Sequence, residues 1–276
     1  MKYSTKNMSE LTDKYNFSFK KKFGQNFIVD KNIINSIVNK TEIDKDTLVI
    51  EIGPGAGSLT YGLCEKAGFV LCYEIDTTLK EMLNENLNEF SNYKIIFDDF
   101  LKRNIKEDLK EYNYKKIYVV ANLPYYITTP IIIKLIEDNL NIDRIAVMVQ
   151  KEVGDRFKAK PKTKDYNSLS IYLNYYYDVK KLLDVSRNVF VPKPNVDSIV
   201  VCFDKKENKL NLKNEKIFFK LVRDSFSFKR KTLRNNLKSY DLEKIENTLK
   251  KYSLDLSVRA EALPIEIFVE IANDLS

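Results

Sequence analysis

The order of elements predicts an α/β fold: a doubly wound parallel sheet with an antiparallel edge, followed by a small all-α domain. Three observations predict it. From Thr47 to Val149 short apolar runs alternate with amphipathic stretches, the strand–helix repeat of a parallel sheet. After Ser168 the pattern changes to strand following strand. From Glu215 onward helical periodicity dominates, and no glycine occurs after Gly154. At roughly 150 residues per domain, 276 residues suit two domains. We expect them at 1–204 and 205–276, with the boundary in Asp204–Asn208 (DKKEN).

The elements follow in order. Thr47–Ile52 (TLVIEI) is apolar apart from Thr47 and Glu51, as in a strand buried on both faces. A glycine turn then opens a helix over Ser58–Lys66. Phe69–Ile75 (FVLCYEI) is a second strand, and Thr77–Phe90 a helix with leucine periodicity. Lys94–Phe97, Lys116–Ala121 and Arg144–Val149 are further strands, and Thr129–Asn139 is a helix whose Pro130 suits the first turn. Ser170–Tyr177 and Asp197–Phe203 form the expected antiparallel edge. Ligands of such sheets bind at the carboxyl ends of the strands, so motifs there carry the most information.

Composition excludes whole chemistries. There is no histidine, which removes Ser-His-Asp and Cys-His nucleophile systems, His-based zinc sites and zinc deaminases. Cys64, Cys72 and Cys202 lack metal-ligand spacing and read as reduced core thiols of a cytoplasmic protein, so no metal is expected. No apolar run approaches the roughly 18 residues of a membrane span, and the polar, lysine-rich first 25 residues predict no secretory signal.

The net charge of +7 is unevenly spread. Residues 1–26 carry a net +4, residues 205–276 a net +5, and residues 27–204 a net −2. A near-neutral middle between basic ends suits arms that grip a polyanion around a small-ligand site. Two runs stand out. Ser225–Tyr240 holds Lys229, Arg230, Lys231, Arg234 and Lys238 without an acid, and Arg156, Lys158, Lys160, Lys162 and Lys164 follow one another without an acid between them. A solvated face is the plainer alternative.

Three of the seven glycines lie in Glu51–Thr60, EIGPGAGSLT. Gly53, Gly55 and Gly57 follow a strand and open a helix, where missing side chains let a ligand approach the backbone. Ser58 stands where the dinucleotide fingerprint wants its third glycine, and Pro54 sits in the turn. The loop therefore fits the amino-acid part of S-adenosylmethionine better than a pyrophosphate, with another nucleotide or a plain tight turn as alternatives. Glu74, 21 residues after Gly53, is placed to accept ribose hydroxyls. Asp99, at the end of the third strand, is placed for an adenine amino group, with Asp98 competing for that role.

Asn122-Leu123-Pro124-Tyr125 follows the fourth strand. An adenine amine is a weak nucleophile because its lone pair is delocalised into the ring. The Asn122 side-chain carbonyl and a backbone carbonyl held out by Pro124 can each accept one N–H, drawing the nitrogen toward tetrahedral geometry. Tyr125 can stack on the base, so catalysis is positioning and oriented dipoles. A turn with an aromatic plug is the structural alternative. Phe190 on its own reads as a core aromatic in a stiff segment before Pro192 and Pro194. FSFKRKTLRNNL (Phe226–Leu237) reads as a basic helix whose cations meet phosphates.

An ordered set of pieces resembles the KsgA family of ribosomal RNA adenine dimethyltransferases over most of the chain: GQNFIVD (Gly24–Asp30), EIGPGAGSLT, YEID (Tyr73–Asp76), NLPYYIT (Asn122–Thr128), MVQKEVGDR (Met148–Arg156), FVPKPNVDSIV (Phe190–Val200) and FSFKRKTLRNNL. The resemblance implies a Rossmann-like class I methyltransferase that places two methyls on N6 of each of two adjacent adenosines near the 3′ end of small-subunit rRNA. It implies S-adenosyl-L-methionine as cofactor, the assembling 30S subunit as partner, no membrane, and a cytoplasmic monomer. Asn26 and Ile28 would line the methionine side of the cofactor, Gly53 lie under it, Glu74 take its ribose, Asp99 its adenine, and Asn122 stand beside the methyl. Tyr125 and Phe190 would sandwich the target adenine, and Lys229, Arg230, Lys231 and Arg234 would meet RNA. The family often has glycine where Lys162 and Asn167 stand.

Rival readings are an Erm-type enzyme acting on large-subunit rRNA, a ribosome-assembly binding factor without turnover, and a dehydrogenase. KRKTLRNNL and the longer helical tail favour the small-subunit enzyme over the Erm type. The intact Asn122–Tyr125 and glycine loop weigh against a factor without turnover, and the missing third glycine and proton relay against a dehydrogenase.

Overall fold

A computed structural model describes residues 5–20, 23–138, 140–207 and 210–276. In chain order its elements are α1 (Thr5–Lys14), β1 (Phe27–Ile28), α2 (Lys31–Lys40), β2 (Thr47–Ile52), α3 (Ser58–Lys66), β3 (Phe69–Glu74) and α4 (Lys80–Asn86). There follow β4 (Tyr93–Phe97), α5 (Ile105–Leu109), β5 (Lys116–Asn122), α6 (Thr128–Glu137), β6 (Arg144–Gln150), α7 (Lys151–Phe157), α8 (Ser168–Tyr176) and β7 (Tyr177–Val185). The last are β8 (Phe190–Val191), β9 (Ser198–Lys205), α9 (Glu215–Ser225), α10 (Leu233–Asn236), α11 (Leu242–Lys250) and α12 (Ile265–Leu275).

The chain divides into two compact units, Met1–Gly154 with Lys180–Asp204, and Asp155–Val179 with Lys205–Ser276. The first is built on a seven-stranded sheet of order β4-β3-β2-β5-β6-β9-β7. Its pairs from β4 to β6 are parallel, and β9 joins β6 antiparallel. This is the expected doubly wound sheet with an antiparallel edge. All six residues of β2 are buried, the central-strand environment its apolar run requires. Asp30 caps α2 by accepting from Asn32 N and Ile33 N, and the helix buries Ile34, Ile37 and Val38. A small antiparallel pair joins β1 to β8, with Ile28 opposite Phe190. Cys64, Cys72 and Cys202 are free and buried. No described helix is long and apolar enough to cross a membrane.

Several elements differ from expectation. Ser170–Tyr177, expected as a strand, is the body of helix α8. Its aromatic content favours a strand locally, but Asn167 caps a helix by accepting from Leu169 N and Ser170 N. The helix buries seven of its residues, with Tyr172 at 4.8 Å from Phe219 and Tyr175 at 5.3 Å from Phe218 between ring centroids. Packing overrides propensity here, and the edge strand β7 begins only at Tyr177. Asp155–Val179 accordingly belongs with the helical unit rather than with the sheet.

Phe226–Leu237 is not one basic helix. Helix α9 stops at Ser225, a turn follows, and only Leu233–Asn236 is helical again. The reason lies in the backbone: Leu233 N donates to Val258 O at 2.8 Å and Arg234 N to Leu256 O at 3.0 Å, bonds that a continuous helix would forbid. The helix expected over Thr77–Phe90 is a 3-10 turn at Thr77–Leu79 followed by the shorter α4. Asn139 and Asn208, at the ends of an expected helix and linker, lie outside the described residues. Lys162, where the family resemblance leads one to expect glycine, sits at φ +68°, in the left-handed region that disfavours a side chain.

Candidate active site

The carboxyl ends of β2, β3, β4 and β5 open into a cleft of about 980 Å³, part of it open to solvent. Asn26, Ile28, Gly53, Glu74, Asp99, Asn122, Leu123, Pro124 and Tyr125 all line it. Residues spread over a hundred positions thus meet in one place, as a doubly wound sheet arranges.

The glycine loop forms the floor. Gly53, Gly55 and Gly57 have φ of +71°, +58° and +84°. A Cβ added at Gly53 would meet nothing within 4 Å, so the space over it is free for a ligand. A Cβ at Gly55 would strike the Phe27 ring at 2.7 Å, so this glycine is required by β1, which walls the cleft. Ser58 Oγ, also lining the cleft, is buried without a hydrogen-bond partner. An open glycine cradle beside an orphaned hydroxyl fits a ligand with a polar, amino-acid-like end.

Glu74 ends β3 and is buried. Its Oε2 accepts from Gly55 N at 3.0 Å and its Oε1 from Asp76 N at 2.9 Å. Burial pushes its carboxyl up to about 7. Glu51, fully buried in β2, is pushed by the same cause to about 8, with Cys72 Sγ 3.7 Å from its Oε2. Asp98 and Asp99 both reach the cleft. Asp99 caps the following turn by accepting from Leu101 N at 3.0 Å and is the less exposed of the two.

Asn122 is the last residue of β5. Its Nδ2 donates to Asn26 O at 2.9 Å, which fixes the amide so that Oδ1 is left as the acceptor. Pro124 O already accepts from Ile127 N and Thr128 Oγ1. The carbonyl of Leu123, just before the proline, takes part in neither of those two bonds. Tyr125 is half-buried, with its hydroxyl 3.2 Å from Ser198 Oγ. Phe190 is placed otherwise than a clamp at the cleft: it is 3% exposed, packs in the hydrophobic core with Ile28, and does not line the cleft.

Sequence reasoning missed Asp76. This buried carboxylate accepts from Lys20 Nζ at 2.6 Å, Gln25 Nε2 at 2.8 Å and the Thr78 hydroxyl at 2.6 Å. It ties the segment carrying Asn26 to the strand end carrying Glu74. Both partners stood in quoted motifs, GQNF and YEID, but 51 positions apart nothing in spacing joined them.

Lys229, Arg230, Lys231 and Arg234 lie in the other unit, exposed. Arg234 pairs with Glu246 at 3.8 Å, while the other three make no ion pair among the described residues. Also among the described residues, no group of His, Cys, Asp or Glu is placed to hold a metal ion.

A glycine cradle at the first strand, an acid at the end of the second and an Asn-Leu-Pro-Tyr turn at the fourth define an S-adenosylmethionine-dependent methyltransferase. Comparisons agree. The model of the ribosomal RNA adenine dimethylase family matches residues 16–276. The ribosomal RNA small subunit methyltransferase A of Staphylococcus aureus (strain bovine RF122 / ET3-1) is 46% identical over 97% of this chain and 93% of its own. That of Bacillus pumilus is 45% identical over 96% and 94%. Among solved structures, a dimethyladenosine transferase from Plasmodium falciparum superposes with a TM-score of 0.74 at 25% identity, covering 89% of this chain and 95% of its own. The 23S rRNA methyltransferase ErmE does so at 0.66 and 23% identity, over 90% and 99%, a likeness of fold. The chain belongs to the ribosomal RNA adenine dimethylase family.

Proposed function

We propose that the protein dimethylates N6 of two adjacent adenosines near the 3′ end of small-subunit (16S) rRNA during assembly of the 30S subunit. The observation that carries the chemistry is the pinned amide of Asn122, which leaves its Oδ1 as an acceptor. The choice of small-subunit RNA follows the relatives at 45% and 46% identity, which are small-subunit enzymes by name. An Erm-type enzyme has only likeness of fold in its favour.

Asn26 and Ile28 would hold the methionine end of S-adenosylmethionine, Gly53 lie under it, Glu74 take the ribose hydroxyls and Asp99 the adenine. When bound, the cofactor supplies a methyl carbon made electrophilic by its sulfonium. Asn122 Oδ1 and Leu123 O each accept one N–H of the target amine, which restores its lone pair for attack. Tyr125, steadied by Ser198, lies against the base. Phe190 backs the wall at Ile28 and completes the clamp only if base entry shifts the β1–β8 pair. The methylated ammonium loses its proton to water, so no histidine is needed. Lys229, Arg230, Lys231 and Arg234 would hold RNA phosphates, and we place the protein in the cytoplasm as a monomer.

Incubation with labelled methyl donor and unmodified small subunits, with free large-subunit RNA as control, tests the reading. Label on N6 of two adjacent adenosines of the small subunit is expected. Label on the large-subunit RNA alone, or none, would overturn it.

A further inference from the structure

The turn between α9 and α10 presents an aromatic ring where phosphate binding alone needs only cations. The turn is braced from within: Asn236 Nδ2 donates to Ser225 O at 2.7 Å and to Phe228 O at 3.3 Å, and Lys231 N donates to Phe228 O at 2.9 Å. Lys229 Nζ donates to Lys164 O at 2.6 Å, which brings the two basic runs of this unit onto one surface.

Phe226 and Phe228 point different ways from this turn. The partly buried Phe226 ring lies 6.1 Å from those of the buried Tyr166 and Phe268. Phe228 is 59% exposed, more than any other large apolar side chain among the described residues. Lys231 Nζ stands 4.5 Å from its ring centroid, and Lys229 and Arg230 flank it in sequence. A single exposed aromatic is ordinary. A ring held on a braced turn, with one ammonium over it and two further cations beside it in sequence, none with an acidic partner among the described residues, is a different object, because its surroundings attract one kind of ligand. Cations there take phosphates, and the ring adds a face for a flat apolar group on the same ligand. The bases of a duplex are already stacked on one another, so the ligand must offer an unpaired one.

We propose that Phe228 is a stacking platform for an unpaired nucleobase of the rRNA, with Lys229, Arg230 and Lys231 on the adjoining phosphates. This rests on reading the helical unit as an RNA grip. It goes further in giving that grip a preference for loops and single strands over duplex.

The chain has no tryptophan, so Phe228→Trp introduces a sole indole fluorophore. The full-length variant is titrated with an unmodified 3′ fragment of small-subunit rRNA and with a fully paired duplex of equal length. Its emission is expected to be quenched by the loop-containing fragment and far less by the duplex. Phe228→Ala is expected to weaken fragment binding about 5- to 150-fold with an unchanged salt slope, and Phe228→Tyr to restore it. Unchanged affinity in Phe228→Ala, or equal quenching by both RNAs, overturns the platform. Charge reversal at Arg230, Lys231 and Arg234 separates the two levels. If it weakens binding while Phe228→Ala does not, only the platform falls. If neither matters, the reading of this unit as an RNA grip falls with it.

Discussion

The cleft at the sheet and the turn between α9 and α10 are opposite solutions to holding a ligand. At the cleft the strand-end acids are buried and held: both Glu74 oxygens accept backbone N–H groups, and Asp76, two residues on, gathers three side chains. At the turn three adjacent cations face solvent with no acidic partner among the described residues. Buried dipoles act at low effective dielectric and need not reorganise, so they aim single atoms. Exposed cations are screened beyond about 8–10 Å at ordinary salt and bind a polyanion by counterion release. Aim and grip are thus separated in the chain and should fail separately.

The largest expected effect is on aim. Asn122→Ala should cut single-turnover methyl transfer by about 10²–10³-fold while cofactor affinity, read by calorimetry, moves only a few-fold. Unchanged turnover would remove the amide from the mechanism. On the grip side, Arg230→Glu, Lys231→Glu and Arg234→Glu together should weaken RNA binding and lower its salt slope by roughly 0.7–0.9 for each phosphate no longer neutralised. Turnover at saturating RNA should hold. If turnover collapses while affinity stays, the two functions are not divided as described.

The smallest effect concerns pH. The Glu74 carboxyl is raised from 4.5 to about 7 by burial. The folded state therefore binds more protons than the unfolded one in that window, and the stability of the ligand-free protein falls as pH rises from about 4.5 to 7. Cofactor affinity should move the other way. The ribose hydroxyls bind best to the ionised carboxylate, so affinity rises with pH up to about 7 and is flat above. Glu74→Gln should remove the affinity slope, while part of the stability slope persists because buried Glu51 is raised to about 8; an affinity slope that survives would place the titrating group elsewhere.

Much of the cleft was legible because strand ends and glycine turns are local. Helix α3 runs from Ser58 to Lys66 as its glycine turn and periodicity predict. What was illegible depends on partners distant in sequence. Ser170–Tyr177 carries strand-like residues, yet Phe218 and Phe219 bury them as a helix. The basic segment loses its helix to carbonyls at Leu256 and Val258. Phe190, read alone, suits the core, and the structure buries it there opposite Ile28. Asp76 gave no sign of gathering Lys20 and Gln25, because hydrogen bonds across some fifty positions leave no period to read.

The hold of Asn26 O on the Asn122 amide has one more consequence. With its nitrogen occupied, the side chain would greet the six-position of a purine in the cleft with oxygen alone. Guanine and hypoxanthine carry oxygen at that position, so two lone pairs would face each other and neither base would settle. On the proposed mechanism, the atom that would ready the amine for attack would thereby also turn away the wrong purine.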